Sequence, residues 1–386
     1  GKIIATSDDH NQRMFILQKG DLQLDKGTYQ ASIACVVLGA DNDQTTPYSH
    51  LTVGKDATMN IDYYYAAFVS YDKEKHAYGA VIDFNGTSNN GALYINGSIQ
   101  DKTGNVPVIN VGPQAKVTVT TVGDGAIYAA GYGVWNIQSG SQLTGDGSAL
   151  AIKAGRVNIN GGTLKATGSK VEPPEGWSNG VNGSGAAIQI ESNNSYAGDI
   201  EIDITNSTIS SEKGYAIYEY LANNQTETKV KAITVNSGDF QGNITISEAL
   251  GTKIGGESSP FVIKGGYFTA DPSAYLAADK AAVASDKAGY NFMVAAKPEL
   301  PDNIEVAVKV EKPDTDVEAI PDEKQEAVKA AVEAIAIPEA PLAAAAGTTA
   351  SQLTTNQATE ARAELAKTLG DNNVKEDTPV TVVIQP

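Results

Sequence analysis

Short alternating segments return along this chain every 22–31 residues, and that recurrence constrains the fold more than any other feature. LTVGKDATMNI (51–61) and INVGPQAKVTV (109–119) share one pattern 58 residues apart, with Val-Gly at the same place in each. WNIQSGSQLTG (135–145) and VNINGGTLKATG (157–168) repeat it 22 residues apart, and IDITNSTIS (202–210), ITVNSGDFQG (233–242) and FVIKGGYFTA (261–270) follow. A second element lies between these copies: DGAIY (124–128), GSALAIK (147–153), GAAIQI (185–190) and GYAIYEY (214–220). Each run is too short for a helix and alternates with period two, which predicts strands with one face inward.

A single unit of this length cannot bury its apolar face alone. Stacking one unit on the next pairs equivalent strands and joins Val157, Ile159, Ile200, Ile202, Ile204 and their equivalents into a continuous column. The expected fold is mostly β: a right-handed parallel β-helix of about ten coils over residues 1–270, the hand following from the crossover rule. A β-sandwich also has many short strands, but its strands do not repeat one another, nor would Gly161-Gly162 and Gly265-Gly266 recur at equivalent turns. Residues 168–184 interrupt the period and read as a long loop, and residues 60–84 form a second irregular stretch.

The repeat stops at FVIKGGYFTADPSAYL (261–276). An open stack end exposes unpaired strand groups, so a cover is expected over residues 271–300. Asp271 reads as an N-cap with Pro272 in the first turn, Tyr275 and Leu276 give a small apolar face, and a hairpin follows with its turn at residues 286–289. Gly265, Gly266, Phe268, Thr269, Asp271, Pro272, Ser273, Tyr275, Leu276 and Ala277 follow a pattern that resembles the final coil and cap of secreted β-helix proteins of Gram-positive bacteria. The likeness is close over about 30 residues, the upstream coils match only in style, and no catalytic motif comes with it. It implies a modular, adhesin-like protein of the bacterial cell surface or the extracellular space.

Residues 301–386 change grammar. A strand at 304–310, amphipathic helices at 321–337 and 356–370 and a closing strand at 378–385 predict a small acidic α/β module. It carries 7 basic and 16 acidic residues out of 28 and 46 in the chain, so half of the net charge of −18 falls in its 86 residues. That charge, with no basic stripe, argues against nucleic acid and against anionic membrane as partners. No apolar run reaches spanning length, so no membrane insertion is expected in this chain. Cys35, the single cysteine, lies in a valine-rich run and reads as a buried apolar residue. The chain opens at Gly1 without an initiator Met or a signal-peptide pattern and reads as a processed or recombinant fragment, with any anchor beyond it.

Candidate chemistry is sparse, and no cofactor is expected. His10, His50 and His76 are scattered, which excludes the usual zinc spacings and gives a Ser-His-Asp arrangement little footing. Asp41 and Asp43 share a loop that calcium could use, against the commoner reading of an Asx turn. Glu201 and Asp203 are the best carboxylate pair: i and i+2 on one outward strand face lie about 6.5–7 Å apart at Cα, near inverting-glycosidase spacing. Charges on any outward face also serve solubility. Tyr63, Tyr64 and Tyr65 are consecutive, Tyr128 and Tyr218 read as outward, and Trp177 sits in the inserted loop. Exposed rings suit stacking on sugars, although aromatic ladders also merely stabilise stacked strands. The expectation is a non-catalytic scaffold for adhesion or for glycan or protein binding, whose partners are glycans or host or cell-wall surface molecules. A polysaccharide-active enzyme is the alternative, and a plain spacer the third reading.

Overall fold

The computed structural model describes residues 1–5, 13–39, 49–71, 79–100, 106–169, 185–222, 224–255 and 258–297, and the backbone of the strands Ile304–Val308 and Val380–Ile384. The described residues are mostly strand, stacked in parallel over three faces in a solenoid-like arrangement. The chain divides into two compact units, Gly1–Ala278 with Ser285–Val294, and Asp279–Ala284 with Ala295–Pro386.

In the first unit, period-two alternation builds the core row by row. On the first face Leu51, Ile82, Ile109, Trp135, Val157, Ile202, Ile233 and Phe261 are in register, each pairing with the next. On the second, Met59, Ser88, Val117, Leu143, Leu164, Ile209, Phe240 and Phe268 do the same. On the third the inner row is Val36, Ala67, Leu93, Ile127, Leu150, Ile188 and Ile217. All of these side chains are buried. At ~1.5–3 kcal/mol for each large apolar side chain removed from water, these rows dominate the stability of the unit. Ser88 alone breaks the apolar pattern, and its hydroxyl donates to the Gly91 carbonyl at 2.6 Å.

Several corners between the first and second faces use left-handed backbone, which glycine supplies at Gly161 and Gly266 and asparagine at Asn206 (φ 50°). Gly161 has φ 81° and Gly266 φ 122°, and a Cβ on Gly266 would meet the Gly238 carbonyl oxygen of the preceding level at 2.8 Å. Register also survives a long interruption. Val157 pairs with Ile202 and Leu150 with Ile188, although residues 170–184, outside the described residues, intervene.

The C-terminal end of the stack is covered. Asp271 Oδ1 accepts from the Ser273 backbone N–H and hydroxyl at 2.9 and 2.5 Å, and Ser273–Tyr275 form a single 3₁₀ turn. That turn lays the Tyr275 ring on Phe261, 4.9 Å between centroids, and places Leu276 beside Ile263. The strand Phe292–Ala296 then pairs antiparallel with Gly266–Phe268 through Phe292–Val294. Beneath the third face, the helix Glu248–Gly251 buries Leu250. At the other end Lys2–Ala5 and Arg13–Leu17 each pair on one side only among the described residues, and Ile3, Ile4 and Ile16 stand about half exposed.

In the second unit, Ile304–Val308 and Val380–Ile384 pair antiparallel, Ile304 opposite Ile384. The two helices expected between them lie outside the described residues.

Candidate functional site

Glu201 and Asp203 stand on the outer side of the first face and turn to different partners. Glu201 is held between Arg156 and Lys231, each 3.1 Å away, from the levels before and after it. Partial burial pushes its carboxyl up, but hydrogen bonds and charge from Lys231 and Arg156 outweigh this and hold it below the ordinary range. Asp203 instead accepts from Asn236 Nδ2 at 3.2 Å. The pair does not converge, and Glu201 is fixed as a carboxylate, which leaves it unsuited to donate a proton.

Asp203 belongs to the same outward row as Asp83, Asn110, Asn136 and Asn158. Asn110 donates to Asp83 at 2.7 Å, Asn136 to Asn110 at 2.9 Å and Asn158 to Asn136 at 2.9 Å. His50 heads this ladder, with Nε2 2.7 Å from Asp83 and Nδ1 3.3 Å from Asp21. Both ring nitrogens thus face carboxylates, an orientation that offers no base to a serine. His10, His76, Asp41, Asp43 and Trp177 lie outside the described residues. Among the described residues no group of three metal-ligating side chains comes together.

The aromatic candidates divide by burial. Tyr63 and Tyr64 are exposed at the corner between the second and third faces (46% and 51%), while Tyr128 and Tyr218 are nearly closed off at 8% and 7%. Alternation correctly turns Tyr128 and Tyr218 away from the core, but the outer side of the third face is covered at both positions, so neither ring is open to a ligand. Tyr65, Tyr94 and Tyr128 stack successively at 4.7 and 5.0 Å, and Phe68 packs on Tyr94 at 4.9 Å. Burial pushes the Tyr65 phenol up to about 12 and those of Tyr94 and Tyr128 further. Tyr64 lies 5.6 Å from Tyr65 and 6.3 Å from Tyr63, so the exposed pair is the open end of a fixed ladder. Tyr218 stacks separately between Tyr215 and Tyr220.

Further along the third face the buried outer side turns polar, which sequence reading missed. Lys153 Nζ pairs with Glu191 at 2.7 Å, both buried, and lies over the rings of Tyr196 and Tyr128. Glu191 also accepts from Tyr220 Oη and Asn193 Nδ2, each at 2.8 Å. Glu219, in register with core Ile190, accepts from Ser192 Oγ, Thr228 Oγ1 and the Ser247 N–H that begins the helix Glu248–Gly251. Lys229 Nζ donates to the carbonyls of Lys153, Asn193 and Tyr196 at 3.1, 3.2 and 2.6 Å. Above this network opens a polar cleft of about 710 Å³ between residues 194–199 and 224–229, with Gln100 at its edge. A Lys and a Glu at every-second-residue positions of apolar strands were the available signal.

No helix among the described residues is long and apolar enough to cross a membrane. No protein family matches the chain, and neither curated proteins nor solved structures show a similarity to it.

Proposed function

We propose that the first unit is a right-handed parallel β-helix serving as a non-catalytic surface scaffold, bound by glycans or by host or cell-wall molecules outside the bacterial cell. The three registered rows and the crossover rule support the fold reading. The resemblance of the 265–277 motif to the caps of secreted β-helix proteins supports the location. The observation that carries binding is the exposed Tyr63–Tyr64 pair: Tyr64 packs on Tyr65 of a partly buried stack and Tyr63 on Tyr64, so little side-chain freedom is lost on contact. Polysaccharide cleavage is the weaker reading, because Glu201 and Asp203 serve an ion-pair row and an amide ladder.

The test is a panel of immobilised glycans and cell-wall polysaccharides, read for both binding and released oligosaccharide. Tyr63→Ala with Tyr64→Ala is expected to weaken binding about tenfold with an unchanged melting temperature. Release of products, or no ligand on the panel, overturns the reading.

A further inference from the structure

The polar cleft beside the third face has two walls fastened to one buried network. Asn193, which opens the first wall, donates to Glu191, and Thr228 of the second donates to Glu219. Ser192 joins the two sides: its hydroxyl donates to Glu219 and accepts from the Lys229 N–H at 2.9 Å. Lys229 then ties the second wall to the first through the carbonyls of Asn193 and Tyr196. Elsewhere the outer side of this face is held by apolar and aromatic contacts, among them buried Val37 and the partly buried Phe68 and Tyr94. Burying Lys153, Glu191 and Glu219 is expensive in desolvation, and apolar residues of similar size would hold two loops as well or better. What the polar network adds is a fixed backbone beneath the groups above it.

Those groups are amides, carboxylates and hydroxyls: Gln100, Asn194, Asp199, Gln225, Glu227 and Thr228. Among the described lining residues the one aromatic, Tyr196, is buried with its ring against the Lys153 ammonium, so these residues offer hydrogen bonds and no open stacking face. Among the described lining residues the one cation, Lys229, is turned onto backbone carbonyls, whereas Asp199 and Glu227 are exposed. A concave lining of amides, carboxylates and hydroxyls, net negative among the described residues, can hydrogen-bond sugar hydroxyls and repels anions. Its volume falls within the range of small-ligand pockets, ~300–1,000 Å³.

We infer that this cleft binds a neutral, hydroxyl-rich oligosaccharide, at a site separate from the Tyr63–Tyr64 pair. The inference rests on the scaffold reading only in assuming a glycan ligand. The experiment uses the full chain against immobilised neutral, N-acetylated, uronic-acid and sulfated oligosaccharides, with titration of any hit by calorimetry. Asn194→Ala with Gln225→Ala removes two cleft side chains that carry no structural hydrogen bond among those described, so folding is expected to be unchanged. Binding of a neutral glycan should fall about tenfold or more in that variant. It should persist in Glu248→Gln, a surface control on the short helix. Retained binding in the cleft variant overturns the inference. If Tyr63→Ala/Tyr64→Ala abolishes that same binding, the scaffold reading stands while the cleft is dismissed. Preference for uronic or sulfated glycans, or calcium uptake without any saccharide response, also overturns it.

Discussion

Lys153 occupies a position that strand alternation assigns to the outside, yet its side chain is 1% exposed. Its ammonium is satisfied by Glu191 and two aromatic faces, so it is compensated only while that carboxylate is present. Lys153→Met leaves Glu191 buried with two neutral donors, Tyr220 and Asn193. This is expected to destabilise the first unit by about 3–5 kcal/mol, read as a lower urea midpoint at constant slope. Lys153→Met with Glu191→Met should recover most of the loss, because no charge is then stranded. A double variant as unstable as the single one would show that the pair matters for its shape and not its charge.

At the scale of the strand, outward rows work as ladders that cross levels. Glu201 ties its level to both neighbours through Arg156 and Lys231. Its carboxyl titrates below the unfolded value, so its contribution is fully present above about pH 4.3. The contribution is lost as pH falls through the depressed folded value. Glu201→Gln should therefore lower stability at pH 7 and flatten the decline below pH 4.3, measured by urea melts across the acid range. A decline as steep as in the parent would remove Glu201 from the account. Such ladders were only partly legible in the sequence. The inner rows were readable because Val157, Ile159, Ile202 and Ile204 alternate with polar residues, and alternation fixes which way a side chain turns. What covers the outer side was not readable, since Tyr128 and Gln189 have the same alternation as exposed residues elsewhere. The partners of Glu201 lie 45 residues before and 30 after it, and only the register makes them neighbours. The break at Asp271-Pro272 was legible, but Pro272 and not Asp271 takes the N-cap position of a single 3₁₀ turn, and Asp271 holds the Ser273 N–H from one residue earlier.

Across the whole first unit, ten parallel levels follow one another on the second face, from Lys2–Ala5 to Gly266–Phe268. Nine steps of ~4.8 Å separate the ends by roughly 43 Å. Each level contacts chiefly the next, so protection against hydrogen exchange should depend on position along the stack. The strands around Trp135, Leu150 and Ile159 are expected to exchange slowest and Lys2–Ala5 and Arg13–Leu17 fastest, with Phe261–Ile263 intermediate under its cover. Uniform protection from end to end would mean that the levels do not open separately. The register kept across residues 170–184 has a further consequence. Because Val157 still meets Ile202 and Leu150 still meets Ile188, the length of chain between Ser169 and Gly185 is decoupled from the packing of the levels. Loop-closure entropy rises only by about 0.6 kcal/mol per doubling of length. A peptide of another length or sequence grafted between Ser169 and Gly185 is therefore expected to leave the registered rows on either side in place.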